Sequence, residues 1–168
     1  MSSFNRIQAV INLDNIRHNV SAMKSLVDEN KKMLAVIKAD AYGHGAVEVG
    51  RALDDMADYY AVAFLDEGIE LRKAGIDKPI LILGYTDPSD YMDLMRWDIR
   101  PAMYDVDEAQ QLSDDAVSMG KRAKIHIKVD TGMGRIGFTC DDAGVNNIEK
   151  IWKMPGIEIE GIFTHYAK

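Results

Sequence analysis

The sequence has a single cysteine, Cys140, among its 168 residues, so no disulfide can close within the chain. No grouping of Cys and His has the spacing of a zinc site, and no metal is expected. Scarce cysteine fits a reducing compartment. Positive charge is also in short supply: 20 Lys and Arg face 27 Asp and Glu, for a formal charge of -7 at pH 7. The acidic residues are spread along the chain, which leaves no basic field to condense on nucleic acid or anionic lipid. Long apolar runs are missing as well. Nowhere do enough apolar residues follow one another to span a bilayer, and the opening "MSSFNRIQAVINLDNIRHNV" breaks its apolar residues with Asn, Asp and Arg. It reads neither as a signal peptide nor as an anchor. The expectation is a soluble cytoplasmic protein with no nucleic-acid or membrane partner.

What is present is an ordinary globular composition, 47% apolar and 28% charged, enough for one substantial core. Leu13, Ile16, Val20, Met23 and Val27 recur at three- and four-residue steps and predict a helix, with Asn12 or Asp14 as its N-cap. An alternation then begins. Short apolar runs at "MLAVIKA", "YAVAF", "PILIL", "IRPAMY", "KIHIKVD" and "IEIEGIFTH" read as buried strands, and the segments between them have helical periodicity. Ala46, Val49, Leu53 and Ala57 line the first crossover helix; the next stops at Gly75; the fourth opens with Asp105 and Glu108 in capping-box spacing and stops near Gly120.

Strands start near residues 33, 59, 79, 99, 123 and 158. The repeat is roughly twenty to thirty-five residues, that of a (β/α)8 barrel of about 250 residues. An open doubly wound sheet also buries parallel strands between helices. Its usual G-x-G-x-x-G phosphate loop is not found: the first strand-to-helix turn, "KADAYGHGAVEVG", places only Gly43 and Gly45 close together. The expected fold is α/β, a TIM-type barrel with about six of eight β/α units.

In a parallel barrel the chemistry gathers at the C-terminal ends of the strands, and "AVIK" delivers Lys38 there. A lysine in partly apolar surroundings has its charged form disfavoured, and its free amine is a nucleophile toward an aldehyde. Tyr42 follows with a hydroxyl for a phosphate, and Gly43 and Gly45 permit a tight turn before a helix near Ala46. His44 reads as a loop or capping residue. The methionines, Met92 and Met95 among them, read as core filler, and Trp97 and Trp152 as helix-face packing.

These residues carry a resemblance. "AVIKADAYGHGAVEVGRAL" resembles the cofactor-lysine signature of the alanine racemases, bacterial enzymes of pyridoxal phosphate, and Asp40 stands where that family accepts Asn or Asp. "KVDTGMGRIGF" at 128 to 138 resembles the family's fifth-strand motif and "GIFTHYAK" its sixth, in matching order. "YAVAFLDEGIELRKAGI" and "PILILGYTDP" are similar too.

The resemblance implies that Lys38 forms the Schiff base with pyridoxal 5'-phosphate and is the base that exchanges the D-enantiomer's proton. It implies that Tyr42 bonds the phosphate and that Arg135 reaches the phenolic oxygen and the substrate carboxylate. His165 would support the cofactor ring by positioning an arginine, and Leu83 would pack on the cofactor. Lys128 is either carbamylated, holding Arg135 as an anion, or a barrel-interior lysine paired to an acid. By the same resemblance, residues 1 to 168 are the N-terminal part of a longer racemase. The last two barrel units and a C-terminal β domain, which supplies the second base from the partner subunit of a homodimer, lie outside it. The implied activity is interconversion of L- and D-alanine for peptidoglycan synthesis, with the chain inactive alone. The alternatives are a racemase of serine or another amino acid, and a non-catalytic pyridoxal phosphate-binding protein.

Overall fold

The computed structural model describes residues 7–167. A first helix α1 (Leu13–Lys24) is capped by the Asn12 side chain, which accepts from the Asn15 amide at 3.1 Å. β1 (Leu34–Val36) then leads through α2 (Lys38–Gly43) into α3 (Ala46–Ala52). The alternation continues through β2 (Tyr59–Val62), α4 (Leu65–Lys73), β3 (Ile80–Ile82), a 3-10 turn (Pro88–Asp90), α5 (Tyr91–Arg96) and β4 (Ile99–Met103). It ends with α6 (Val106–Ser118), β5 (Ala123–Asp130), β6 (Phe138–Thr139), α7 (Asp142–Trp152) and β7 (Ile157–Phe163).

Every strand pairing is parallel, and the barrel strands lie side by side in chain order, β1-β2-β3-β4-β5, with β7 next on β5. A doubly wound sheet reverses its strand order at a switch point. No reversal occurs here, so the sheet is a partial barrel, as expected. Alternate residues face opposite sides. Tyr60, Val62, Ile80, Ile82, Ile99, Ile125 and Ile127 are buried in the apolar core, while Tyr59, Leu81, His126, Lys128 and Glu160 line a cleft on the other face.

Arg72, near the end of α4, fastens the layers. Its guanidinium donates to the carbonyls of Trp97 (2.9 Å), Ile76 (2.6 Å), Lys78 (2.8 Å) and Asp98 (3.0 Å). Burial works against its charge and pulls its pKa down, with Asp98 opposing. Alanine here strands those carbonyls, and an Arg72→Ala variant is expected to lose about 2–4 kcal/mol in urea unfolding. Lysine recovers only part, because an ammonium cannot present the same fork.

Some expectations need correcting. α1 stops at Lys24, so Val27 lies beyond it and is exposed, as is Met23; of the predicted face only Val20 is buried. Leu53 and Ala57 are buried but follow α3. Trp152 is 71% exposed, because Ile151 beside it takes the core-facing position and the next residue on a helix points about 100° away. Met92 is exposed while Met95 is buried, and Trp97 packs against the core. The two-residue β6 carries too little pattern to be foreseen; it pairs with Val129 and Asp130.

Candidate active site

A cleft of about 1050 Å3 opens on the concave face of the sheet. All six residues singled out in the sequence, Lys38, Tyr42, Leu83, Lys128, Arg135 and His165, line it. They come from the ends of β1, β3, β5 and β7 and the loops that follow.

Lys38 is delivered in an unusual way. β1 ends at Val36, and Ala39, Asp40, Ala41 and Tyr42 all have φ between 51° and 57°, a full left-handed turn without glycine. Each such residue costs about 1–2 kcal/mol. Hydrogen bonds hold the turn: the Ala41 amide donates to the Ile37 carbonyl (3.0 Å), the Gly45 amide to the Asp40 carbonyl (3.0 Å), and the Ala46 amide to Asp40 Oδ1 (2.8 Å). The Ala39 amide donates to Glu67 Oε1 at 2.8 Å. His44 closes the turn, with Nδ1 2.9 Å from the Ala41 carbonyl. Tyr42 is left with its side chain largely exposed at the cleft mouth.

Arg135 sits on the loop between β5 and β6. Asp130 organises that loop, its Oδ1 accepting from the amides of Gly132 (2.9 Å) and Gly134 (3.1 Å). Gly137 must be glycine where β6 returns against β5: a Cβ there would lie 2.5 Å from the Asp130 nitrogen, at φ +131°. Those amide bonds hold the Asp130 carboxyl below its ordinary value of 3.8. A depressed carboxyl contributes order that is complete above the unfolded value and is lost as pH falls through the folded one. Hydrogen exchange at Gly132 and Gly134 is therefore expected to rise, relative to strand amides, as pH drops below 3.8.

Lys128 is only 3% exposed. Its amine donates to the carbonyls of Val129 (2.7 Å) and Ile136 (3.2 Å), so it braces both ends of the Arg135 loop. Among the described residues no carboxylate oxygen lies within 4.0 Å of it, and Asp130 attracts it from further away. Burial pulls its pKa down, and Arg135 adds to this against Asp130.

Beneath the mouth lies a polar layer that sequence reasoning missed. Glu160 is the extra residue at a bulge, where pairing jumps from Ile125↔Ile159 to His126↔Gly161. Its carboxylate accepts from Arg100 Nε at 3.0 Å and lies 3.7 Å from the Lys124 amine. Gly161 makes room for the His126 ring, 2.6 Å from where a Cβ would stand. Burial depresses the His126 pKa despite Glu160, so the imidazole is neutral near pH 7 and its 3.5 Å approach to Glu160 is not an ion pair there.

Taken together, the cleft lining carries Lys32, Lys38, Lys128 and Arg135 against one carboxylate, Glu160. In a chain of net charge -7 this is a local reversal of sign. It suits a ligand bearing phosphate and carboxylate groups, and the amine, phenol and guanidinium at the mouth fit an anionic aromatic aldehyde. Among the described residues no group of three or more His, Cys, Asp or Glu is placed to hold a metal ion, and no helix is long and apolar enough to cross a membrane.

Comparison with known proteins gives a consistent picture. The family described as alanine racemase, N-terminal domain, matches residues 11–168. A curated alanine racemase of Clostridium perfringens is 46% identical over 162 residues, covering 96% of this chain and 42% of that protein. The solved alanine racemase of Clostridium difficile 630 superposes with a TM-score of 0.91 at 45% identity, over 96% of this chain and 44% of that one. A histidine racemase from Leuconostoc mesenteroides superposes at 0.85 with 26% identity, over 93% of this chain and 42% of that one. The chain thus spans less than half the length of these relatives.

Proposed function

Because the chain belongs to the alanine racemase N-terminal domain family, we propose that it carries the cofactor-binding part of a pyridoxal phosphate-dependent racemase that interconverts L- and D-alanine. The observation that carries this reading is the meeting of Lys38, Tyr42 and Arg135 in one cationic cleft at the strand ends. When bound, pyridoxal phosphate supplies an electron sink for negative charge at the substrate Cα.

This chain's residues supply the rest. The Lys38 amine would hold the cofactor at its aldehyde, with loss of water, and as a free amine would take or return a proton at the substrate Cα. Tyr42 donates its hydroxyl to the phosphate. Arg135 presents its fork to the phenolic oxygen and the substrate carboxylate, while Leu83 packs on the ring and His165 holds an arginine from the rest of the protein. Lys128, whose pKa burial pulls down, gives up two protons to solvent on adding carbon dioxide, and the resulting carbamate is an anion that orients Arg135. In this reading residues 1 to 168 form the N-terminal part of a cytoplasmic homodimeric enzyme that feeds peptidoglycan synthesis. The other parts complete the barrel and bring the second base.

The histidine racemase neighbour supports a second reading, the same chemistry on a different amino acid. The full-length protein of which residues 1 to 168 are the N-terminal part, loaded with pyridoxal phosphate and assayed by chiral chromatography on alanine, serine and histidine, separates the two. Alanine turnover at least about tenfold above the others, or ~1.4 kcal/mol of discrimination, is expected. Faster histidine or serine turnover would favour the second reading, and no turnover of any of them would refute both.

A further inference from the structure

We propose that Glu67 is a positioning residue for Lys38: its carboxylate locks the left-handed turn that aims the lysine into the cleft. The proposal builds on the cofactor reading above and adds a residue to it. Glu67 is the third residue of α4, and an acid there would ordinarily cap the helix by accepting from amides just before it. One oxygen does this. Oε2 accepts from the amides of Ala63 (2.6 Å) and Phe64 (3.4 Å).

The other oxygen does something capping does not require. Oε1 reaches 28 residues back in the chain to the Ala39 amide at 2.8 Å. Ala39 directly follows Lys38 and is the first of the four residues with positive φ, at 51°. That N–H is part of the Lys38–Ala39 peptide plane, so the bond fixes the plane by which the chain leaves Lys38 and enters the turn. Charge-assisted bonds of this kind are about twice as strong as neutral ones, enough to offset part of the turn's strain.

The geometry also ties two walls of the cleft together. Ala63 and Phe64 line it from the end of β2, and Lys38 and Tyr42 line it from the end of β1. A single carboxylate clamps both strand ends at the height where Lys38 enters. Asp40 serves the far end of the same turn through the Ala46 amide, so each end of the strained stretch has its own carboxylate. With the turn free, the lysine amine samples orientations that do not face the cleft, and its productive fraction falls.

Glu67→Gln is the informative variant. Glutamine has one carbonyl oxygen and sets its NH2 against an amide N–H, so it serves one wall and not both. Helix capping at this position accepts Gln nearly as well as Glu, so overall stability is nearly unchanged. Two readouts are taken. In the protein without added cofactor, Ala39 amide exchange is protected in wild type and about tenfold faster in Glu67→Gln, with exchange at Ile80–Ile82 unchanged. The rate of covalent attachment of pyridoxal phosphate to Lys38, read by borohydride trapping and peptide mapping, falls by about tenfold.

An unprotected Ala39 amide in wild type overturns the proposal. So does a Glu67→Gln protein with wild-type exchange, or one that attaches the cofactor at Lys38 as fast as wild type. If exchange responds as expected but neither protein attaches the cofactor at Lys38, Glu67's hold on the turn stands and the cofactor reading fails.

Discussion

Glu160→Ala is expected to lower the free energy of unfolding by about 3 kcal/mol in urea denaturation. The Arg100 side chain is 4% exposed and holds Glu160 at 3.0 Å. Burial works against the guanidinium charge, but Glu160 and Asp98 together keep its pKa raised. Removing Glu160 leaves that cation with Asp98 alone, at 2.8 Å and on a side chain 68% exposed. Lys124 and Tyr59 lose the same carboxylate. A double replacement of Arg100 and Glu160 by methionine should recover most of the loss, because burying neither charge avoids both desolvation costs.

The pH dependence has a definite sign. Burial alone would raise the Glu160 pKa, but the bond from Arg100 prevails and the carboxyl sits below its ordinary 4.5. Its contribution is therefore complete above 4.5 and is lost as pH falls through the folded value. The stability gap between wild type and Glu160→Gln should narrow as pH drops below 4.5 in chemical denaturation. A gap that widens on acidification would contradict the assignment.

The second large effect is expected at Lys38. A Lys38→Ala protein is expected to hold pyridoxal phosphate at least about a hundredfold more weakly in equilibrium dialysis, a difference of ~2.7 kcal/mol. On the proposed reading the Lys38 amine bonds covalently to the cofactor's aldehyde, while Arg135 and Tyr42, which line the same cleft, make polar contacts only. Lys38→Arg discriminates between causes. Arginine keeps the positive charge but does not act as a nucleophile. If attraction for the phosphate were the lysine's contribution, arginine would restore binding; on the covalent reading it leaves the loss in place.

Legibility in the sequence followed the range of the interactions. Lys38 and Tyr42 could be named in advance from a short run at the end of an apolar strand, and Arg135 and His165 from the resemblance of their runs to a family's motifs; a parallel barrel gathers all these strand ends into one cleft. The in-order sheet followed from the spacing of those strands for the same reason. The left-handed turn was hidden: Ala39, Asp40, Ala41 and Tyr42 include no glycine, and the nearby glycines pointed to a bend a few residues later. Glu67 was visible only as an ordinary helix-start acid, since its reach to Ala39 exists once β1 lies beside β2. Arg100 and Glu160 are 60 residues apart, and no local pattern announces that a bulge will turn Glu160 inward. The readings of Lys128 illustrate the same limit: its position was evident, but the carbonyls it meets belong to a loop whose path Asp130 and Gly137 decide.

Lys38 as the covalent anchor of pyridoxal phosphate is the proposal on which the others rest. Its most direct test is to incubate the protein with pyridoxal phosphate, reduce with borohydride, digest, and locate the pyridoxyl group by mass spectrometry. One modified site is expected, in the peptide containing "AVIKADAYGHG", on Lys38. A label on Lys32, Lys128 or any other lysine with Lys38 unmodified would contradict it.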